Sequence, residues 1–362
     1  MNITPRYNHI SVAKGIGIIM VVLAHSFSSP NLLTNFICLF HMPLFFFLSG
    51  YCFKDKYVYD KRLYVKRSLT SLYLPFVITN LIFIALHNIF YDLNIYNDTY
   101  GFMDSVSQRY SDKDYVTQIY YTLRFMGQEQ LLGGFWFLKS LFFARLIFLL
   151  FRGLQTKASK YMPSQLFYWL FISVSVVFCL FDLCIPGIMG SKEVFGFILL
   201  CCGYEFKRNE ERVVHCSGIL VVCSIAVCMI YAIYRPLYFS SAPLSLDRAD
   251  YIIPCIAGCL MVYFICQDIR LRNQKYLIYI GSHTLVILAL HFISFKVISF
   301  LYIALTHSNI KLLAQFAVLR DAPQWLCVPY TLGGVFVPLI FNYLYLCAHE
   351  NIVYCIRRQG WF

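Results

Sequence analysis

Lys14 and His25, both inside the first apolar stretch (10–27), are the residues best suited by type and spacing to do chemistry; they lie eleven positions apart. Eleven helical steps of about 100° return to within about 20° of the starting direction, so a helix sets both on one stripe, roughly 16 Å apart along its axis. An imidazole can accept a proton from a hydroxyl near neutral pH, and an ammonium can steady negative charge. Ionisable groups are costly in hydrocarbon, so two on one stripe point to a lined cavity rather than a lipid-facing surface.

Further polar residues recur within apolar stretches: His41 beside Pro43, Trp136 followed by Lys139 and Arg145, then His283, His291 and Lys296. Each also has a plainer role. Lys14, Lys139 and Lys296 can snorkel to an interface, Trp136 can belong to an interfacial aromatic belt, and His41 can bond a carbonyl freed by the proline. His291, taken alone, fits a hydrogen-bonded core histidine.

The elements that position these residues are membrane helices. Of 362 residues, 59% are hydrophobic, 18% aromatic and 13% charged, against roughly 25% charged in soluble domains. Ten stretches approach the length that spans hydrocarbon: 10–27, 32–53, 69–91, 134–151, 166–185, 191–206, 216–234, 251–267, 276–305 and 325–348. The sixth is short and the ninth long. The sequence thus predicts an all-α integral membrane protein, a bundle of about ten transmembrane helices forming a single domain over 1–362.

Basic residues crowd alternate connections: Lys54, Lys56, Lys61, Arg62, Lys66 and Arg67 in one, then Arg152, Lys157 and Lys160, then Lys207, Arg208 and Arg212, then Arg270, Arg272 and Lys275. With Arg6 at the start and Arg357 and Arg358 in the tail, this pattern predicts cytoplasmic N- and C-termini. The net charge of +12 follows from that bias and from contact with anionic membrane lipid, and gives no reason to expect a nucleic-acid partner. Lys14 then falls toward the cytoplasmic face and His25 toward the outer one, with His41 and His291 near the middle.

The fifteen cysteines are scattered through apolar stretches and read as small buried residues, without metal-ligand spacing. No metal is expected. The first apolar run has a single preceding Arg6 and is followed by nine more, so it reads as an uncleaved helix rather than a secretory signal.

Lys14-Gly15-Ile16-Gly17-Ile18, Leu23-Ala24-His25-Ser26 and Phe40-His41-Met42-Pro43-Leu44-Phe45-Phe46-Phe47-Leu48-Ser49-Gly50 resemble the bacterial membrane acyltransferase-3 family, most closely its fucose 4-O-acetylase-like group. Trp136-Phe137-Leu138 and Tyr279-Ile280-Gly281-Ser282-His283-Thr284-Leu285 with His291 extend the likeness across the chain. The family carries a basic residue, ten intervening residues and a histidine in its first span, which here are Lys14 and His25. This chain departs from the pattern at Lys14, where arginine is frequent, at Ser11, where aspartate is common, and at Ala24, where glycine is common.

The resemblance implies an O-acyltransferase, most often an O-acetyltransferase, of the bacterial inner membrane. It would take acetyl-CoA or another acyl-CoA as donor and a surface glycan or lipid-linked saccharide as acceptor, as in O-antigen, capsule or exopolysaccharide. Lys66, Arg67, Arg145 and Lys14 are candidates for the donor's phosphates and the entry of its arm. His25 is the candidate base, or the carrier of a covalent acyl group, with Lys139 or His41 facing the oxyanion. Acceptor contacts are assigned to Trp136, His291 and the connection 92–133. That connection carries Tyr96, Tyr100, Tyr110 and Tyr115 with Asp98, Asp104, Asp112, Asp114 and Glu129; Tyr110 and Asp112 are the candidates within it. Two rivals stand beside this reading. One is a membrane-bound O-acyl-type enzyme using His291. The other is a polysaccharide or small-molecule transporter, which would use the polar string as a path.

Overall fold

The computed structural model describes residues 8–102, 105–239 and 242–358. Arg6 and Asp104, and the side chains of Arg357 and Arg358, lie outside the described residues. Among the described residues the structure is mainly helical, with strand pairing confined to a short antiparallel ribbon, Gly101–Phe102 with Ser105–Val106, and an isolated bridge between Ile185 and Met189.

Helix α1 (Asn8–His25) is followed by α2 (Leu32–Cys38) and α3 (His41–Tyr51), which divide the second apolar stretch. The division falls at Phe40 (φ −138°, ψ −13°). Pro43 explains it, because a proline ring collides with the carbonyl four residues earlier, that of Leu39, but fits the first turn of a new helix. The carbonyls freed upstream find other donors: His41 Nδ1 reaches Ile37 O at 2.9 Å, Tyr251 Oη reaches Cys38 O at 3.4 Å, and Cys255 Sγ reaches Leu39 O at 3.4 Å.

The basic connection forms α4 (Lys56–Tyr59) and α5 (Lys61–Ser68), which runs through a wide π-helical turn, Leu69–Tyr73, into α6 (Leu74–Asp92). Helix α7 (Asp112–Leu123) and a 3₁₀ segment, Gln130–Phe135, lead into α8 (Trp136–Ala158). Next come α9 (Ser164–Leu180), α10 (Ser191–Val214), α11 (Ser217–Tyr234), α12 (Ile252–Ile265) and the short α13 (Ile269–Arg272). The ninth stretch is two helices, α14 (Lys275–Ser282) and α15 (Thr284–Thr306). They part because Ser282 Oγ and His283 Nδ1 both donate to the Tyr279 carbonyl, at 2.7 and 2.8 Å, taking the acceptor that a continuous helix would use. Helix α16 (Cys327–Arg358) ends the described chain.

Among the described residues, eight helical stretches are long and apolar enough to cross a membrane. Of the two other expected spans, α9 has 17 residues, roughly 25 Å at 1.5 Å per residue, and α10 carries Lys192, Glu193, Glu205, Lys207 and Arg208 toward its ends. Helices α9, α11 and α16 expose leucine, isoleucine, valine and phenylalanine, whereas α1, α3, α8, α10 and α15 each bury many of their side chains. That is the distribution of a bundle with lipid around it.

Helices α1 and α14 meet almost backbone to backbone. A Cβ added at Gly281 would overlap the Ser11 carbonyl, and one at Gly15 would overlap that of Leu277. This contact holds α14, and α15 after it, against the face of α1 that carries Lys14.

Candidate active site

The stripe drawn on α1 exists. Lys14, Ile18 and Val21 line one wall of a cavity of about 610 Å³, and His25 is the next residue on the same face. Met42, Phe45, Leu48, Ser49 and Cys52 of α3 supply a second wall, Phe137, Leu138, Leu141 and Arg145 of α8 a third, and Thr284, Leu285 and Leu288 of α15 a fourth. Tyr57, Tyr64, Arg67 and the π-turn residues Thr70, Ser71 and Leu72 complete it.

The lining is graded. The three cations, Lys14, Arg67 and Arg145, share one end with Tyr57, Tyr64 and Ser71. Arg145 Nε donates to Tyr64 Oη at 3.2 Å with its guanidinium 4.7 Å from that ring, and Arg67 donates to Tyr57 Oη. Toward the other end every lining side chain is apolar: Val21, Met42, Phe45, Phe137, Leu138 and Leu288. Just past these, each wall carries a polar or aromatic residue. His25 follows Val21, His41 precedes Met42, Trp136 precedes Phe137, and His291 follows Leu288. These four lie close in the chain to lining residues but do not themselves line the cavity, and of them His25 and His291 are in ring contact.

His25 is half-buried, its ring centre 5.8 Å from that of His291 and 5.1 Å from that of Phe292. His41 donates through Nδ1 to a carbonyl, so a neutral His41 presents Nε2 only as an acceptor. Trp136 is engaged by Lys192, whose Nζ lies 4.4 Å from the ring centre, and by Phe239, stacked at 5.5 Å. Lys139 sits one turn further along α8, half-buried. The neighbouring Glu193 accepts from Ser140 Oγ and from Gly190 N, each at 2.7 Å.

None of His25, His41, Trp136, Lys139 and His291 is among the residues lining the cavity, and other expected residues also lie off it. Lys66 is exposed on α5 and does not line it, unlike Arg67 beside it. Asp112 is exposed in the first turn of α7. Tyr110 lies flat on His87 with ring centres 3.4 Å apart and donates to Glu129 Oε1 at 2.9 Å. Burial, and then the Glu129 carboxylate, hold the Tyr110 phenol well above its ordinary range. Lys296 does not snorkel. It is 3% exposed and donates to the carbonyls of Leu313 and Gln315, because the short 3₁₀ segment Ile310–Ala314 and the turn after it present carbonyls to α15.

Three features went unread in the sequence. Tyr57 and Tyr64 at the basic end carried no signal beyond their type. The π-turn at Leu69–Tyr73, a device frequent at functional sites, has no sequence mark. The buried pair His87 and Glu129, 3.1 Å apart, comes from residues 42 positions apart.

Among the described residues no cluster of His, Cys, Asp and Glu has the arrangement of a metal site, and every described cysteine is free. A family model described as an acyltransferase domain, that of the acyltransferase-3 family, matches residues 7–346. The chain belongs to that family. No curated protein and no solved structure matches the chain. The chain is therefore a multi-pass membrane acyltransferase.

Proposed function

We propose that this acyltransferase moves an acyl group, taken as acetyl, from cytosolic acyl-CoA to a hydroxyl of a cell-surface glycan or lipid-linked saccharide at a bacterial inner membrane. Both termini and the basic connection face the cytoplasm in this reading. The likeness of the first fifty residues to the fucose 4-O-acetylase-like group directs the acceptor toward a sugar hydroxyl.

The observation that carries the reading is the gradient along one cavity, from Lys14, Arg67 and Arg145 at one end to apolar side chains, Val21 and Leu288 among them, that lie one helical turn from His25 and His291. The donor's phosphates suit the two guanidiniums, whose planar forks match phosphate oxygens. Its arm suits the apolar middle, whose length is comparable to the roughly 16 Å between Lys14 and His25. The hydroxyl oxygen attacks the thioester carbonyl while the lone pair of His25 takes its proton. The C–S bond then breaks, and the imidazolium returns the proton to the departing thiolate. Neutral His41 offers only an acceptor, so Lys139 takes the part of the oxyanion's partner.

Transfer of labelled acetyl from acetyl-CoA to membrane glycolipid and surface polysaccharide, comparing wild type with His25→Ala at matched expression, tests this. Label is expected with wild type only. Substantial transfer by His25→Ala would reject His25 as the base and shift the role to His291, the basis of the second reading.

A further inference from the structure

His291 is 0% exposed, and its Nδ1 lies 3.1 Å from Ile287 O and 2.9 Å from Leu288 O. Carbonyl oxygens only accept, so Nδ1 carries the proton and the opposite nitrogen, Nε2, is a bare lone pair. That nitrogen is buried and has no hydrogen-bond partner. Buried polar atoms in folded proteins are paired with few exceptions, and an exception inside a catalytic cluster marks a place where a donor arrives. His25 is the polar ring that faces His291, with centres 5.8 Å apart and planes 30° apart. Two imidazoles joined edge to edge by a hydrogen bond of about 3 Å have centres at most about 5.3 Å apart, so an approach of about 0.5 Å would join these rings.

We infer that His291 is a positioning residue, accepting the N–H of His25 and so fixing which His25 nitrogen is left to take the acceptor's proton. The bond persists when His25 becomes the imidazolium, and the lone pair of His291 then faces the new positive charge. An aspartate beside a catalytic histidine does the same work with a full charge. A neutral acceptor suits a site whose surroundings here are Phe292, Phe295 and Leu288. Behind the pair, Phe292 packs tilted against Phe316 with ring centres 4.6 Å apart, and Lys296 ties the adjoining backbone at Gln315. The second ring therefore has little freedom to swing away from the first.

The inference rests on His25 as the base, and the two are separable in one set of variants. His291→Phe keeps a ring and removes the acceptor. His291→Gln loses the ring and keeps an acceptor in its amide oxygen. Steady-state transfer from acetyl-CoA is to be measured for both beside His25→Ala in purified full-length enzyme. A positioning role gives a kcat about 100-fold lower for His291→Phe with KM for acetyl-CoA unchanged, and partial recovery in His291→Gln. A packing role reverses the order, with His291→Phe the more active, and overturns the inference. Wild-type kcat in both variants also overturns it while leaving His25 as the base. Activity retained in His25→Ala and lost in both His291 variants removes the functional reading itself.

Discussion

Replacing Glu129 with alanine is expected to release the connection between α6 and α8 without unfolding the bundle. Glu129 and His87 are 5% and 2% exposed, and one proton lies between Glu129 Oε2 and His87 Nδ1 at 3.1 Å. The other imidazole nitrogen donates to Gln108 O at 2.9 Å, and Tyr110 donates to the second carboxylate oxygen. Asn80 Oδ1 accepts from the Glu129 backbone N–H at 3.1 Å, and Tyr110 exchanges two hydrogen bonds with Asn88. The carboxylate is thus the knot between α6 and the segment leading to α7. Breaking a buried pair by removing one member costs about 3–5 kcal/mol. At about 1.4 kcal/mol per decade, a loss near 4 kcal/mol raises the open population of the segment roughly a thousandfold. Amide hydrogen exchange of the purified protein reads this directly. Protection over 105–128 is expected to fall by about that factor, with α1, α3 and α15 unchanged. Glu129→Gln, which keeps an acceptor for Tyr110, is expected to lose much less. Wild-type protection in Glu129→Ala would refute the assignment of the pair as the fastening of this segment.

Two further outcomes follow from the cavity and its frame. Arg67→Ala and Arg145→Ala are each expected to raise KM for acetyl-CoA about tenfold with kcat within about twofold, since a charged hydrogen bond to an accessible phosphate contributes on the order of 1.4 kcal/mol. Initial rates decide it, and a fall in kcat at constant KM would count against a phosphate-binding end. Gly281→Ala is expected to force α14 off α1, at the roughly 1–3 kcal/mol typical of overpacking. Its melting temperature in detergent should drop by several degrees, and an unchanged value would mean that the helices do not meet there.

What could be read without coordinates was what depends on one helix at a time. The shared stripe of Lys14 and His25 follows from helical periodicity alone, and α1 is a regular helix. The interruption near Pro43 was equally local, although it falls at Phe40 because the proline excludes the carbonyl behind it rather than the one beside it. The freed carbonyl bonded by His41, that of Ile37, was foreseeable for the same reason. Residues whose partners come from another element were not. Lys296 reads as a cation long enough to reach the surface, yet backbone carbonyls of a later segment meet it inside. Tyr110 reads as a sugar-stacking ring, and the structure sets it on His87 instead. The approach of His25 to His291 depends on how α15 leans on α1, which begins with the glycine contact between α1 and α14.

The confinement of charge to one end of the cavity also bears on electrical insulation. A cell that stores energy as an ion gradient loses it through any wet channel, and one elementary charge moving through 100 mV dissipates about 2.3 kcal/mol. Beyond Lys14, Arg67 and Arg145 an ion would have to shed its water among Ile18, Val21, Leu138 and Leu288, where nothing replaces its hydration. An uncharged thioester loses little on entering the same space. For the proposed donor, the apolar middle is in this sense a dielectric filter, admitting a neutral group where an ion is excluded.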